Sequence, residues 1–257
     1  MNKTKNLLLK LSPLLSLLFW LLLWLLLALS FRKPLLLPTP FAVFRALFSL
    51  LGTAAFWLQL SLSLGRVLSG IIAAFLGGAL LSLLTARWRL AYHIFAPFLN
   101  TCKATPVASV IFLLLLWMGR DLVPFFITLL LALPIFWSNL HAGLLANDAL
   151  LLEMARCFQI PKSRILLKIK LPQLRPYLFA ACRAAIGLAF KAGVAAEVLA
   201  VPENSIGRAI YESKLYLLTD ELFAYTLAVI LVSSLIELAV LHLLPEKKKE
   251  VGDRADT

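Results

Sequence analysis

Long apolar runs separated by short polar segments make up most of the chain. Six of these runs approach or exceed the roughly 20 apolar residues that a helix needs to cross a bilayer. A bilayer offers no water to backbone polar groups, so each crossing must satisfy them within its own helix. We therefore predict an all-α integral membrane protein with six transmembrane helices, over roughly 11–29, 60–84, 94–117, 122–140, 177–200 and 222–244.

Composition supports this prediction. The 257 residues are 61% hydrophobic, whereas soluble domains are only about 45–50% apolar. No stretch remains for a soluble domain, so residues 1–257 are predicted to form a single transmembrane domain. The three cysteines and three histidines lack metal-binding spacings. The sequence therefore predicts no metal site, no disulfide framework and no catalytic residues.

The formal net charge of +12 reports membrane topology rather than nucleic-acid binding. Lysine and arginine are concentrated at the N-terminus, between the second and third spans, between the fourth and fifth spans, and in the tail. Segments rich in these residues stay on the cytoplasmic side of a membrane. Both termini and the loop 147–176 are thus predicted to be cytoplasmic, and the loop 201–220 external.

The first span has a second interpretation. Lysines precede a leucine-rich core, and Ala28-Leu29-Ser30 resembles a cleavage site, as in a secretory signal peptide. We favour a retained span, because the apolar run is long for a signal core. Arg32 and Lys33 would also hinder export directly after the cut.

Prolines and glycines predict local features of the spans. Thr39 can cap a short surface helix that Pro40 opens. In the third span Pro97 and Pro106 predict a bend beside the polar residues 100–103. Small residues in the second span predict close helix packing. The apolar stripe expected on the surface helix is Phe41, Phe44, Leu47 and Phe48, and the small residues are Gly65, Gly70, Gly77 and Gly78.

The segment 147–176 is too polar to cross the membrane and too regular to be an irregular loop. Leu150, Met154 and Phe158 recur every four residues, which predicts an apolar ridge along one helix. Pro161 can open a second helix whose Ile165 and Ile169 share one face. Such a ridge needs a groove on a partner protein, although an ordinary amphipathic surface helix would show a similar pattern.

This segment resembles the ATPase-docking loop, or coupling helix, of ABC importer permeases. The family pattern is Glu-Ala-Ala, three residues, Gly, and further on Ile-x-Leu-Pro. Here Met154 replaces the first Ala and Gln159 replaces the Gly. We call residues 147–176 the docking loop. The resemblance assigns ATPase coupling to Leu150, Glu153, Met154, Ala155, Phe158, Gln159, Pro161, Ile169, Leu171 and Pro172.

Other segments are similar to the nitrate/sulfonate/taurine-type permeases. This resemblance implies the type I ABC importer architecture in the bacterial cytoplasmic (inner) membrane. It also implies a second copy of the chain, two ATPase subunits on the cytoplasmic side that use ATP and Mg, and a substrate-binding protein outside. The matching segments are Leu37-Pro38-Thr39-Pro40, 64–70, Lys103-Ala104-Thr105-Pro106 and Val194-Ala195-Ala196-Glu197.

The chain has no Gly-x-x-x-x-Gly-Lys-[Ser/Thr] sequence for cradling phosphates. It is therefore expected to be a transport subunit rather than an enzyme and to bind no cofactor itself. The alternative is a secondary transporter that works without an ATPase, which would show inverted repeats. We find no convincing internal repeat. The substrate stays open among nitrate, sulfonates, taurine, bicarbonate and vitamin precursors.

Charged residues inside spans are costly and often functional. Lys191, near the middle of the fifth span, departs from the family pattern, and we predict that it faces the pathway of an anionic or carboxylate-bearing substrate. A salt bridge to Glu237 is the alternative. Glu197 suits either a gate or a salt bridge between helices, and Arg66 and Arg183 suit structural roles. The candidate pathway residues are Lys191, Glu197, Lys103 and Arg66.

Overall fold

The computed structural model describes residues 2–31, 33–146 and 149–243, and within these ranges the chain forms helices and no strands. The helices are α1 (Asn2–Phe31), α2 (Pro40–Leu51), α3 (Ala54–Arg87), α4 (Arg89–Ala104), α5 (Val107–Trp117), α6 (Val123–Leu145), α7 (Ala149–Cys157), α8 (Lys162–Ile165), α9 (Leu171–Ala200), α10 (Ile206–Leu215) and α11 (Thr219–Leu243). A π turn, Leu166–Lys170, joins α8 to α9. The three together form one continuous helix, Lys162–Ala200, which we call the rod.

The prediction of an all-α membrane protein is confirmed. Four single helices are apolar and long enough to cross a bilayer: α1, α3, α6 and α11. The rod makes a fifth crossing, and α4 with α5 makes a sixth if this bent pair counts as one span. The number of crossings therefore agrees with the six predicted from apolar runs.

Two predicted boundaries need correction. The fifth span was placed at 177–200, but its helix begins at Lys162, because the basic residues of the docking loop continue the same helix. In the third span Pro97 lies inside α4, and the break comes at Pro106, where the axis turns by 105°. A proline pushes the residue before it out of helical geometry, and Thr105 accordingly has ψ 133°.

Helix α2 begins as predicted but buries different residues. The Thr39 side chain accepts a hydrogen bond from the backbone N–H of Ala42, and Pro40 occupies the first turn. The buried side chains are Val43 and Leu47. The expected apolar stripe is therefore wrong in part: only its Leu47 faces the bundle, and the stripe's three phenylalanines are exposed.

The centre of the bundle consists of α3, α6 and the rod, packed through small residues. Gly70 lies against Thr128 and Gly78 against Phe136, so α3 and α6 run in the same direction. Gly193 lies against Thr128, whereas Gly143 lies against Tyr177, so the rod runs in the opposite direction. Close backbone approach suits a membrane protein, where lipid provides no hydrophobic drive between helices.

The parallel arrangement of α3 and α6 requires the chain to return across the bundle between them, and α4 with α5 makes that return. The docking loop lies at one end of the bundle, where α6 ends and the rod begins. Helices α2 and α10 lie at the opposite end, in one apolar cluster with the first turns of α3 and α11. The two ends are therefore connected by the full length of the rod.

Alanine substitutions should separate packed glycines from unpacked ones. A Cβ at Gly70 would lie 2.8 Å from the Phe125 carbonyl oxygen and from Thr128 Cβ, whereas a Cβ at Gly65 meets nothing within 4 Å. We expect Gly70→Ala to lower the free energy of unfolding by about 1–3 kcal/mol through overpacking.

The matched control is Gly65→Ala, which should be neutral or add up to about 1 kcal/mol through better helix propensity. Denaturant unfolding in mixed micelles measures both changes. Equal stability of the two variants would contradict the close approach of α3 and α6.

Candidate functional site

Helix α7 presents the predicted apolar ridge to its surroundings. Leu150, Met154 and Phe158 are 75%, 57% and 75% exposed. Ala155, which matches an alanine of the family pattern, is buried, with 3% of its surface exposed. This segment therefore combines one buried alanine with an exposed apolar ridge.

The turn after α7 explains the glycine of the family pattern. Gln159 has φ 52°, the left-handed conformation that glycine adopts most easily. Its N–H donates to the Arg156 carbonyl at 2.9 Å, and the Ile160 N–H donates to the Ala155 carbonyl at 3.0 Å. This pair of bonds is the Schellman motif, which ends a helix sharply. Gln159 thus takes the glycine geometry without being glycine.

Pro161 begins the next helix rather than merely ending α7. Its carbonyl accepts hydrogen bonds from the N–H groups of Arg164 and Ile165 at 2.9 and 3.1 Å. The π turn follows, closed by a bond from the Leu171 N–H to the Leu166 carbonyl. Pro172, which has no N–H to donate, follows Leu171 in the chain. Ile169 is half-buried, while Leu171 and Pro172 are exposed.

At the opposite end of the bundle, the Glu197 carboxylate lies fully buried near the end of the rod. Its Oε2 accepts a hydrogen bond from the Ser63 hydroxyl at 2.7 Å and another from the Gly207 N–H at 3.2 Å. Ser63 Oγ in turn accepts from the Ile206 N–H at 2.9 Å. Residues of α3 and the rod therefore hold the first turn of α10.

Arg66 adds a second set of contacts to this cluster. Its Nη1 lies 3.5 Å from Glu197 Oε1. Its Nη2 donates to Asp121 Oδ1 at 2.8 Å and to the Glu203 carbonyl at 2.9 Å. One guanidinium thus connects α3, the turn before α6, the rod and the loop that leads to α10. We call Ser63, Arg66, Asp121, Glu197 and Gly207 the clasp.

Gly207 is the residue that lets α10 approach the rod. A Cβ at this position would overlap the Cβ and backbone carbon of Glu197. Only glycine therefore brings the Gly207 N–H within reach of the carboxylate. Sequence reasoning singled out Glu197 and Arg66 but missed Ser63, Asp121 and Gly207, since neither spacing nor charge sets these three apart from other loop and helix residues.

The other candidate pathway residues lie on open surfaces. Lys191 is exposed on the rod, on the same face as Leu188 and Ala195. Within the described ranges it has no ion pair, and Glu237 pairs instead with Arg183, with Nε and Oε1 4.0 Å apart. Lys103 is exposed near the end of α4, just before the bend. Arg66 and Glu197, in contrast, bind each other inside the clasp.

His141 packs on an aromatic ring and a hydroxyl group near the docking-loop end of the bundle. Its ring stacks on Tyr92, with centroids 5.0 Å apart, and Nδ1 lies 2.9 Å from the Thr85 hydroxyl. Trp137 Nε1 donates to the same hydroxyl at 3.0 Å. Among the residues with described side chains, no group of three or more His, Cys, Asp or Glu side chains is placed to hold a metal ion.

Comparison with known proteins identifies the family. Residues 74–248 match the family described as binding-protein-dependent transport system inner membrane component. The chain belongs to this family. The match includes the docking loop, Lys191 and Glu197 but begins after Ser63 and Arg66. A secondary transporter, the alternative left open by the sequence, does not fit membership of an ABC permease family.

Individual permeases show the same relationship. The chain is 26% identical to a probable ABC transporter permease protein of Haemophilus influenzae, over 76% of this chain and 79% of the relative. It is 24% identical to the taurine transport system permease protein TauC of Escherichia coli, over 81% and 78% of the two chains. It is 26% identical to the putative aliphatic sulfonates transport permease protein SsuC of Bacillus subtilis, over 73% of this chain and 68% of the relative.

The left-handed turn of this permease can be tested at Gln159. A β-branched residue is a severe outlier at positive φ, so Gln159→Val should open the end of α7. A strain of about 1–2 kcal/mol in the valine variant would make the fraction of molecules with an open turn roughly 5- to 30-fold larger. Limited trypsin digestion after Arg156 and Lys162 should accelerate accordingly.

Gln159→Gly is the matched control, because it restores the family residue and keeps the turn. It should be cut no faster than the original chain. Equal cutting of the valine and glycine variants would show that the turn does not depend on the conformation of this residue.

Proposed function

We propose that this permease subunit forms the translocation pathway of an ATP-driven importer for a small anionic solute, with the docking loop receiving the ATPase. The observation that carries the proposal is the exposed ridge of Leu150, Met154 and Phe158 on a helix that a Schellman turn ends in register with the family pattern. A partner's groove would bury this apolar surface.

The geometry of the loop supports mechanical coupling. Helix α7 is joined to the rod by the short turn at 158–161, so a push on the ridge reaches a helix that crosses the whole bundle. The permease has no phosphate-cradling sequence, so ATP and Mg belong to two ATPase subunits. The complete importer then contains a second copy of this chain, those ATPases and a substrate-binding protein on the other side, with the docking loop and both termini cytoplasmic.

The proposed substrate class rests on two exposed cations. Lys191 lies nine residues before the end of the rod, within its membrane-crossing part, and a lysine that faces lipid hydrocarbon is costly. Water or a solute in a pathway would solvate it, and Lys103 adds a second exposed positive charge. Taurine and aliphatic sulfonates, named for two relatives, carry an anionic sulfonate. We propose a sulfonate or carboxylate solute on these grounds.

Met154→Arg should prevent ATPase docking. The arginine would carry an unpaired charge into an apolar groove, and such burial is costly enough to weaken binding by more than about tenfold. Co-purification of a co-expressed ATPase subunit with the tagged permease measures the effect. The permease alone should hydrolyse no ATP in either form.

The control for this change is Leu215→Arg, which places the same charge on an exposed leucine at the opposite end of the bundle. It should leave ATPase co-purification unchanged. If the Met154→Arg permease retains its ATPase as well as the control does, the ridge is not the docking surface.

Lys191→Met should reduce uptake while leaving assembly and basal ATP hydrolysis intact, because methionine keeps an unbranched apolar stem and removes only the charge. Uptake of radiolabelled taurine, alkanesulfonates and nitrate in cells that carry the complete transporter measures the loss. Lys33→Met, an exposed lysine in the segment after α1, is the matched control.

Chemical accessibility tests the same role without knowledge of the substrate. In a Cys157→Ser background, Lys191→Cys in the assembled transporter should react with an anionic, water-soluble methanethiosulfonate. Leu80→Cys, exposed on α3, should not react from within lipid. An unreactive cysteine at 191, together with normal uptake by Lys191→Met, would refute the pathway role.

A further inference from the structure

The first turn of α10 is capped by other helices as well as by its own residues. The Arg208 N–H donates to its own N-cap, the Ser205 hydroxyl, at 3.0 Å. The N–H groups of Ile206 and Gly207 donate instead to Ser63 and Glu197. A negative charge beside these N–H groups is favourable, because the helix dipole is positive there. The position of α10 is thus fixed by α3 and the rod.

The loop before α10 is fixed as well. It runs over 201–205, and Arg66 holds it through the Glu203 carbonyl while also contacting Glu197. Val201 and Asn204 have φ 50° and 48°, so two of its few residues already occupy the left-handed conformation. A loop this short and this constrained has little freedom to absorb a displacement of α10.

The rod connects this end of the bundle to the docking loop without a break. It contains 39 residues, which corresponds to about 58 Å at 1.5 Å per residue. Glu197 lies in its last turn, and Pro161 begins its first turn. A displacement of α10 therefore has a continuous helical path as far as the turn 158–161, which joins the rod to α7.

We propose that Glu197 is a positioning residue that locks α10 to the rod, so that a force applied to α10 at one end of the bundle moves the docking loop at the other. The inference deepens the proposed function, on which it rests. It assigns the rod as the element that carries a displacement of α10 toward the docking loop.

A carboxylate is required at this position for a geometric reason. Glu197 accepts hydrogen bonds from Ser63 and Gly207 with one oxygen and faces the Arg66 guanidinium with the other. Glutamine has nearly the same size, but its amide nitrogen is a donor. In one orientation it would face Arg66 Nη1, and in the other the Gly207 N–H. Glu197→Gln therefore weakens the clasp without leaving a cavity.

The test uses the full-length chain in nanodiscs and a reporter already present in it. Cys157 is exposed on α7, whereas Cys102 and Cys182 are buried. Two quantities are measured in each variant: hydrogen exchange of the backbone N–H groups at 206 and 207, and the rate at which a thiol reagent modifies Cys157. The matched control is Glu212→Gln, a half-buried carboxylate on α10 whose ion-pair partner is Arg208 of the same helix.

Glu197→Gln should raise exchange at 206 and 207 by about 3- to 30-fold, the range expected for loss of a helix cap. It should also change the Cys157 modification rate at least about twofold in the same preparation, as expected for a region of low local stability. Glu212→Gln should change neither quantity. Ser63→Ala, which removes one bond of the clasp, should produce a smaller change of the same kind and serves if Glu197→Gln does not fold.

Faster exchange with unchanged Cys157 reactivity would overturn the transmission along the rod, and unchanged exchange would overturn the locking role. Neither measurement needs an ATPase. Failure of this inference is therefore distinguishable from failure of ATPase docking, which the Met154→Arg co-purification reports separately.

Discussion

The arrangement of one end of the bundle depends on the hydrogen bonds and the ion pair of the buried Glu197 carboxylate. A charge removed from water is expensive unless hydrogen bonds and an opposite charge compensate it. Ser63 and Arg66 of α3 and Gly207 of α10 supply that compensation, so two separate segments meet the rod at this carboxylate. Removal of one partner leaves a buried charge poorly paired, so the segments are held in place together. The exposed Asp121 then draws the turn before α6 into the same group.

The clasp can form because the helices around it approach closely. Gly207 permits α10 to reach the end of the rod, and Gly193, one turn before Glu197, lets the rod approach Val67 and Thr128. Closer to the middle of the rod, its alanines pack with Ala74, Ala132 and Phe136 in the central core. Small side chains thus provide the backbone proximity, and the polar cluster provides a unique register. Apolar packing alone would specify the register of the helices less well, because an apolar side chain has similar surroundings whether it contacts another helix or lipid.

The sequence predicted the elements well and the tertiary contacts poorly. Apolar length predicted the crossings, Thr39 and Pro40 predicted the start of α2, and the docking-loop pattern drew attention to α7. The left-handed conformation of Gln159 was not predictable from glutamine itself, because only the family's glycine indicated it. Ser63 and Gly207 are 144 positions apart in the chain, and no periodic pattern relates residues so distant. Which face of α2 is buried depended on its neighbours, since phenylalanine and valine are both apolar.

The π turn between α8 and α9 has a consequence for the orientation of the docking loop. A π turn contains about one residue more than an α turn, and each residue of an α-helix advances the chain by about 100° around the axis. If Leu166–Lys170 rewound into α geometry, the preceding residues would rotate by about that angle relative to the membrane-crossing part. Pro172 opposes this rewinding because in a regular α turn its ring would clash with the carbonyl of Lys168, four residues earlier. The direction in which Leu150, Met154 and Phe158 point therefore depends on the helical phase at this turn, which one proline ring helps to set.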